Sequence, residues 1–252
     1  MPTTPAHRSR INPDRLFAQV AQKLAVRIIR GEVPAGALLP NVEDLKGEIS
    51  VSRTAYREAV KFLSGKGLVE ARPKSGTRVA ARESWNLLDP DVLAWHFRAD
   101  PTEKFIRDLF ELRQFVEPSA ARLAAQRRSG EDLRRLERAF RDIAANPPYS
   151  DPSVRADLAF HAAIFAATGN PPLQCMVPLV CATIEWSLLL KAPDDRFVFT
   201  ASLIDHERVL EAIAQQDAEL AAVRMSGLVI DSLNSTLSFL AARREAGGPA
   251  QP

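Results

Sequence analysis

Ser50-Val51-Ser52-Arg53-Thr54-Ala55-Tyr56-Arg57-Glu58-Ala59-Val60-Lys61-Phe62-Leu63-Ser64-Gly65 is the stretch on which the reading of this chain turns. Ser52 is a good helix N-cap, because its hydroxyl oxygen can accept from a free N–H of the first turn. A glycine at the far end suits a helix stop. Wound as a helix, Ala55, Tyr56, Ala59, Val60, Phe62 and Leu63 fall on one continuous arc. Arg53, Arg57 and Lys61, each four residues from the next, fall on the complementary arc. One side is therefore expected to pack on a core while the other presents a row of cations. An Arg near the start of such a helix can pair bidentately with a guanine edge, and its neighbours can hold phosphates. A basic helix face can also be merely solvated, so the flanking sequence has to decide.

Upstream, residues 13–30 carry Phe17, Val20, Leu24 and Ile28 at helical spacing, and Gly31 ends that helix. Pro34-Ala35-Gly36 is a turn. Pro40-Asn41 opens a short second helix that Asn41 can cap, with Leu45 and Ile49 facing inward. Downstream, Gly67–Glu70 and Thr77–Val79 read as two short strands around the turn Arg72-Pro73-Lys74-Ser75-Gly76. Three helices followed by a basic-tipped hairpin make a winged helix-turn-helix, whose wing lies along the phosphate backbone or minor groove of a duplex.

Charge supports that division of labour. Through Arg82 there are fifteen Lys and Arg against seven Asp and Glu, whereas from Glu83 onward there are eighteen against twenty-four. A basic head on an acidic body is suited to meeting a polyanion. Overall composition, with 46% hydrophobic and 25% charged residues, is that of an ordinary folded protein. No run approaches eighteen consecutive apolar residues and no secretory signal opens the chain, so the expectation is a cytoplasmic protein with no membrane partner. Cys175 and Cys181 are read as two buried thiols on one helix that Pro178 bends, consistent with a reducing compartment.

The expected organisation is a winged helix-turn-helix over 11–82, a connector over 83–101, and an all-helical domain over 102–244. The connector carries Trp85 and Trp95 and a short helix from Pro90. The fold class is mainly α, with the second domain an antiparallel helical bundle. Its helix breaks are expected at Ser129-Gly130, Asn146-Pro147-Pro148, Gly169-Asn170-Pro171-Pro172, Ala192-Pro193-Asp194-Asp195 and Gln216-Asp217. Within it, Asp157 and His161 are four apart and share a helix face, and His206 lies on a later helix. One carboxylate and two imidazoles brought together would suit a divalent ion such as Zn²⁺ or Ni²⁺. A helix-surface Asp–His pair is the alternative.

Both halves resemble one family. Leu39-Pro40, Asp44-Leu45, Val51-Ser52-Arg53-Thr54, Arg57-Glu58-Ala59, Gly67-Leu68-Val69 and Gly76-Thr77 resemble the head of the GntR regulators. The resemblance implies DNA contacts by Arg53 and Arg57, assisted by Ser52, Thr54 and the wing residues Lys74, Ser75 and Gly76, with Lys61 in the same basic row. Many members have Arg where this chain has Glu43, so one family contact to DNA is missing. Glu111-Leu112-Arg113, Glu117-Pro118, Asp157 with His161, Asn170-Pro171, His206-Glu207-Arg208 and Asp217-Ala218-Glu219 resemble the FCD-type ligand-binding domain of the FadR branch. That implies a metal site of Asp157, His161 and His206, completed in the family by a third His whose position falls at Leu228 here. It also implies that Arg113 faces the cavity and receives a carboxylate. An ordinary salt bridge with Glu117, four residues along, is the alternative for Arg113. The expected effector set is Arg113, Glu117, Asp157, His161 and His206.

These readings imply a transcription regulator of operator DNA, a repressor released by a small carboxylate. The connector resembles that of sugar-acid regulators and favours an aldonate. A dicarboxylate or an acyl thioester is the alternative effector. Paired half-sites call for a homodimer. A metal-dependent enzyme is the rival from another class, but it leaves the basic head unexplained.

Overall fold

The computed structural model describes residues 16–45, 52–72, 75–191 and 196–245, leaving aside the side chains of Glu43 and Leu45. The chain divides into two compact units, Met1–Pro101 and Thr102–Pro252.

In the first unit, α1 (Leu16–Ile29) buries Val20, Leu24 and Ile28, three members of the stripe read from its sequence. Gly31 follows with φ 77°, a left-handed conformation that suits a helix stop. Helix α2 spans Val42–Leu45, with Asn41 Oδ1 accepting from the Asp44 amide at 3.2 Å. The inward orientation expected of Leu45 and Ile49 lies outside the described residues. Helix α3 (Arg53–Gly65) starts where expected, its Ser52 hydroxyl accepting from Ala55 N at 3.1 Å. Ala59 and Leu63 are fully buried, with Tyr56, Val60 and Phe62 packed at the margin of the same core. The Tyr56 hydroxyl donates to the Pro40 carbonyl at 2.6 Å and pins the helix to the preceding loop.

Strands β1 (Val69–Arg72) and β2 (Gly76–Val79) pair antiparallel, with Val69 opposite Val79 and Arg72 opposite Gly76. Leu38 bridges Arg78 on the open edge of β2. Gly67 is required by close approach as well as by its φ of 78°, because a Cβ there would stand 2.0 Å from the Ser84 carbonyl oxygen.

Helix α4 (Pro90–Arg98) is capped by Asp89, whose carboxylate accepts from the amides of Asp91 and Val92. Val92 and Trp95 belong to the same buried core as Leu24 and Leu63. The residues read as a connector are therefore built into the packing of the first unit. Lys66, at the C-cap of α3, sends its ammonium to Asp89 at 2.7 Å and to Asp91 at 2.8 Å, and it lies 4.4 Å from the Phe62 ring centroid. The end of the basic helix is thereby tied to the start of α4.

The described regular elements of the second unit are all helices: α5 (Glu103–Arg127), α6 (Gly130–Ala145), α7 (Asp151–Ala167), α8 (Pro171–Gln174), α9 (Val177–Leu189), α10 (Arg196–Ala214) and α11 (Ala218–Glu245). Caps fall at the breaks read from the sequence. Ser129 and Asp132 form a capping box ahead of α6, and Ser150 and Asn170 cap α7 and α8. Gln216 takes φ 57° between α10 and α11. The break expected over 192–195 lies outside the described residues. Helices α5 and α11 are clamped where Gln114 and Ser226 exchange two hydrogen bonds of 2.9 Å.

The two cysteines differ from expectation. Cys175 is exposed at the end of α8, whereas Cys181 is buried on α9. Pro178 stands in the first turn of α9, where its missing N–H costs nothing, so it starts a helix instead of bending one. The stretch Pro171–Leu189 has the length and mean hydropathy, 1.3, of a membrane span. It is broken between α8 and α9, and it buries Leu179, Val180, Ile184 and Leu188 within the helical unit.

His96 on α4 is 3% exposed, and burial, reinforced by the Arg82 charge, pushes its pKa down from 6.5 to about 4. The unfolded chain takes up a proton near 6.5 that the folded chain refuses until about 4, so stability should fall as pH drops across that interval. Thermal melts at pH 7.5, 6 and 5 should show this loss in the wild type and a flatter profile in His96→Gln. Parallel profiles would show that another group carries the acid sensitivity.

Candidate metal and effector centre

Three helices of the second unit each bring two groups spaced by four residues, the spacing that places side chains on one helix face. Helix α5 supplies Arg113 and Glu117, α7 supplies Asp157 and His161, and α10 supplies Ser202 and His206. All five residues expected at the effector site are buried, from 0% exposure at Glu117 to 7% at Asp157.

Arg113 Nε donates to Glu117 Oε1, so the expected i, i+4 ion pair is present. The pair does not exhaust either side chain. Arg113 Nη1 has no hydrogen-bond partner among the described residues, and the guanidinium lies 4.7 Å from the Phe110 ring centroid. Glu117 Oε2 comes within 2.7 Å of His161 Nδ1. Burial alone would raise the Glu117 pKa, but the Arg113 and His161 charges outweigh it and hold the carboxyl at about 2.

On the other side of His161, Nε2 lies 3.6 Å from Asp157 Oδ1, and His206 Nε2 lies 3.5 Å from Asp157 Oδ2. The two imidazoles meet edge to face, with ring centroids 5.5 Å apart. His206 Nδ1 is 2.7 Å from the Ser202 carbonyl oxygen. A carbonyl can only accept, so Nδ1 carries the hydrogen and the Nε2 lone pair of a neutral ring faces a carboxylate oxygen. Two facing lone pairs repel unless a proton or a cation lies between them. Burial lowers the His206 pKa, but the Asp157 carboxylate and the Ser202 carbonyl overcome that and raise it above its ordinary value. Asp157 is held at about 2 against its own burial by the charges of His206, His161 and Lys191.

Ligand atoms of Asp157, His161 and His206 all lie within 4.8 Å of one another. Asp157 Oδ1 and His206 Nε2 are buried and lack hydrogen-bond partners among the described residues, and His206 is oriented through its other nitrogen. Those are the properties of a metal-binding set with its supporting shell in place. The donor set fits a divalent ion with three protein ligands. Leu228, where the resemblance calls for a further His, is buried on α11 and lines a cleft of about 170 Å³.

In the first unit, Ser52, Arg53, Thr54, Arg57 and Lys61 are all exposed on α3, as are Ser75 and Gly76 at the hairpin turn. Lys74 lies outside the described residues. Lys61 pairs with Glu58 at 2.9 Å on the surface, while Arg53 and Arg57 make no ion pair among the described residues.

Comparison with known proteins places both units. Residues 16–79 match the model of bacterial regulatory proteins of the gntR family, and residues 108–230 match the FCD domain. The galactonate operon transcriptional repressor of Escherichia coli K12 is 32% identical over 206 residues, covering 80% of this chain and 90% of that protein. The chain belongs to the GntR family. It is a FadR-type GntR regulator, and its matched domains are those of transcription regulators rather than enzymes. The Uxu operon transcriptional regulator of the same organism is 30% identical, covering 86% of this chain and 85% of that protein. A solved structure titled for Lar, which controls the agr system of Listeria monocytogenes, shares the fold at 17% identity, with a TM-score of 0.62 over 91% of this chain and 99% of that one.

Two groups at this GntR regulator's centre escape a reading of the sequence. Ser202 acts through its backbone carbonyl, which leaves no side-chain signature beyond its place four residues before His206. Lys191 follows an apolar run and looks like a surface lysine, yet it is 7% exposed and within electrostatic reach of Asp157.

Removing one member of a fully buried ion pair strands the other. Glu117→Ala should therefore cost about 3–5 kcal/mol in urea denaturation, with the double change Arg113→Met, Glu117→Met recovering much of it. A loss below about 1 kcal/mol for the single change would mean that water reaches Arg113.

Proposed function

We propose that this GntR regulator is a homodimeric, cytoplasmic repressor that reads a pseudo-palindromic operator through α3 and is released by a small carboxylate, with a sugar acid of the aldonate type favoured. The observation that carries the DNA reading is the placement of Arg53, Arg57 and Lys61 in solvent while Ala59 and Leu63 on the same helix are fully buried. Arg53 and Arg57 contact base edges in the major groove, Ser52, Thr54 and Lys61 hold phosphates, and the Lys74–Gly76 wing follows the backbone. Glu43 in place of the family's Arg withdraws one cation from the operator. The effector enters the helical unit, where Arg113, Glu117, Asp157, His161 and His206 form its receptor. A dense polar centre supports a small acid over an acyl thioester, whose chain needs a long apolar tunnel. The relative named for the galactonate operon supports the same choice.

Asp157, His161 and His206 would hold a divalent ion, Zn²⁺ or Ni²⁺, which when bound supplies a Lewis-acidic point for an anionic ligand. Arg113 and Glu117 position His161 from behind, and the Ser202 carbonyl positions His206. Release requires that the effector bind the DNA-competent and released arrangements unequally.

Arg53→Ala should weaken specific operator binding by about 1–3 kcal/mol, and Lys61→Ala should reduce the salt slope by about one unit, both with helical content intact. Fluorescence anisotropy against salt measures both, and an unchanged footprint for Arg53→Ala would remove the recognition helix assignment. Protein purified without chelator should carry close to one divalent ion per chain, lost in His161→Ala and His206→Ala. Elemental analysis near zero in the wild type would make the centre metal-free.

A further inference from the structure

Away from the buried centre, α11 carries an outer face that its own chain leaves bare. Val223 is 65% exposed and Ile230 47%, and Phe115 on α5 is 70% exposed. The two helices run antiparallel, because Gln114 meets Ser226 while Arg122, further along α5, meets Glu219, earlier on α11. Phe115 adjoins Gln114, and Val223 and Ile230 stand within about one turn of Ser226 on either side, so the three apolar side chains flank one clamp. Gly227 stands at the centre of this stretch, in the interior of a 28-residue helix, where glycine is the poorest choice after proline. Nothing within the fold asks for it. A Cβ there would meet nothing within 4 Å among the described residues. A glycine in such a place suits a backbone that comes close from outside the chain.

Around Gly227 the surface is divided by the helical period of about 100° per residue. Val223 and Ile230 fall on the flank nearer α5, whereas Arg224 and Asp231 fall on the other flank. Both charged residues are exposed, and neither forms an ion pair among the described residues. We propose that this face is the interface with a second copy of the chain, the two α11 helices crossing antiparallel about a two-fold axis at Gly227. That operation reverses the helix direction and keeps each flank on its own side. Arg224, three residues before Gly227, then comes beside the partner subunit's Asp231, four residues after it. Val223 comes beside the partner subunit's Ile230, with Phe115 closing the apolar flank. The offsets differ by one residue, about 1.5 Å along the helix, which side chains of this length absorb.

Self-complementarity singles out a second copy as the occupant. An interface about a two-fold axis uses one patch twice, so each group must find its match within that same patch. Here one cation and one anion stand almost equally far from a central glycine, on one flank, with two branched apolar side chains disposed in the same way on the other. A different protein would require no such symmetry. The charges also choose the direction of crossing. A parallel crossing about a two-fold axis would lay Arg224 against the partner subunit's Val223 and Asp231 against the partner subunit's Ile230, leaving both ions unmatched on apolar groups. The inference rests on the homodimer reading given above and commits it to one face, which uses no residue of the first unit.

Sedimentation equilibrium of the full-length protein over a range of concentrations tests it. The wild type should be a dimer. Gly227→Leu places a side chain where its own fold has room, so circular dichroism should show helical content kept, while the dimer dissociation constant rises about tenfold or more because the helices can no longer approach closely. Arg224→Asp should raise that constant by a similar factor, since like charges then meet at two places. Adding Asp231→Arg to it exchanges the two charges and should restore most of the wild-type affinity. If Gly227→Leu lost helical content, the surface charge exchange would decide alone. A wild-type dimer left unmoved by Arg224→Asp or by a folded Gly227→Leu, or a double variant no tighter than Arg224→Asp, would overturn this interface and leave the homodimer reading standing. A wild type that stays monomeric throughout would overturn both and leave the face to a different protein.

Discussion

The buried Glu117 carboxylate is the constraint around which the helical unit is organised. A carboxylate with no solvent contact is costly unless its charge is matched, and single ions left unpaired in such places cost several kcal/mol. Glu117 is matched from two sides, by Arg113 one turn earlier on α5 and by His161 on α7. The Glu117 carboxyl is held at about 2, so the pair stays ionised well into the acid range. The result is a fixed ionic wall behind His161 that leaves its Nε2 directed toward Asp157. Helix α5 therefore supplies orientation, while α7 and α10 supply the groups that face one another.

In the head, a different ionic cluster serves a comparable purpose. Lys66 joins the last turn of α3 to the capping carboxylate of α4 and to Asp91 in its first turn. Asp89 thus does two jobs, capping α4 through the amides of Asp91 and Val92 while accepting from Lys66. Gly67 follows, pressed against the Ser84 carbonyl so closely that no side chain is tolerated. These contacts sit beside Phe62, whose ring meets both Phe17 and Trp95 edge to face. The orientation of the basic row is consequently set by α1 and α4 together. A change in the direction of α4 would be felt by α3 through a short chain of ionic and aromatic contacts.

Much of this was written in local patterns. The Ser52 cap, the alternation of arcs on α3 and the glycine-rich edges of the hairpin are short-range signals with direct structural causes. The breaks at Ser129, Pro147 and Asn170 were equally plain, because capping residues and prolines act within one turn of where they stand. The cysteines depart from the local pattern. Pro178 reads in the sequence as an interior bend, but a proline in the first helical turn is a start signal, and the stretch before it forms a separate short helix. At the centre, Asp157, His161 and His206 could be listed from spacing and resemblance, whereas the roles around them could not. Arg113 offered two readings from sequence, and burial shows that its ion pair with Glu117 coexists with a guanidinium nitrogen left unmatched. Lys191 and the Ser202 carbonyl depend on the packing of α10 beside α7 and α11, and nothing local encodes it.

The charge balance of the centre suits the anionic effector proposed for it. Arg113 and Lys191 offset Glu117 and Asp157, so with both imidazoles neutral the buried set has no net charge. That state leaves the His206 Nε2 lone pair facing Asp157 at 3.5 Å, an arrangement with no attraction to hold it. Protonation of His206 relieves the repulsion and leaves one excess positive charge, and a divalent ion relieves it with two. Each remedy creates a buried positive excess that an incoming carboxylate neutralises. Burial of the site away from water makes that neutralisation stronger than it would be at a surface. An uncharged polyol gains none of it, and a hydrocarbon chain would separate the ions from their partners. The proposed preference for a small acid would thus follow from the same unmatched lone pairs that make the centre suited to a cation.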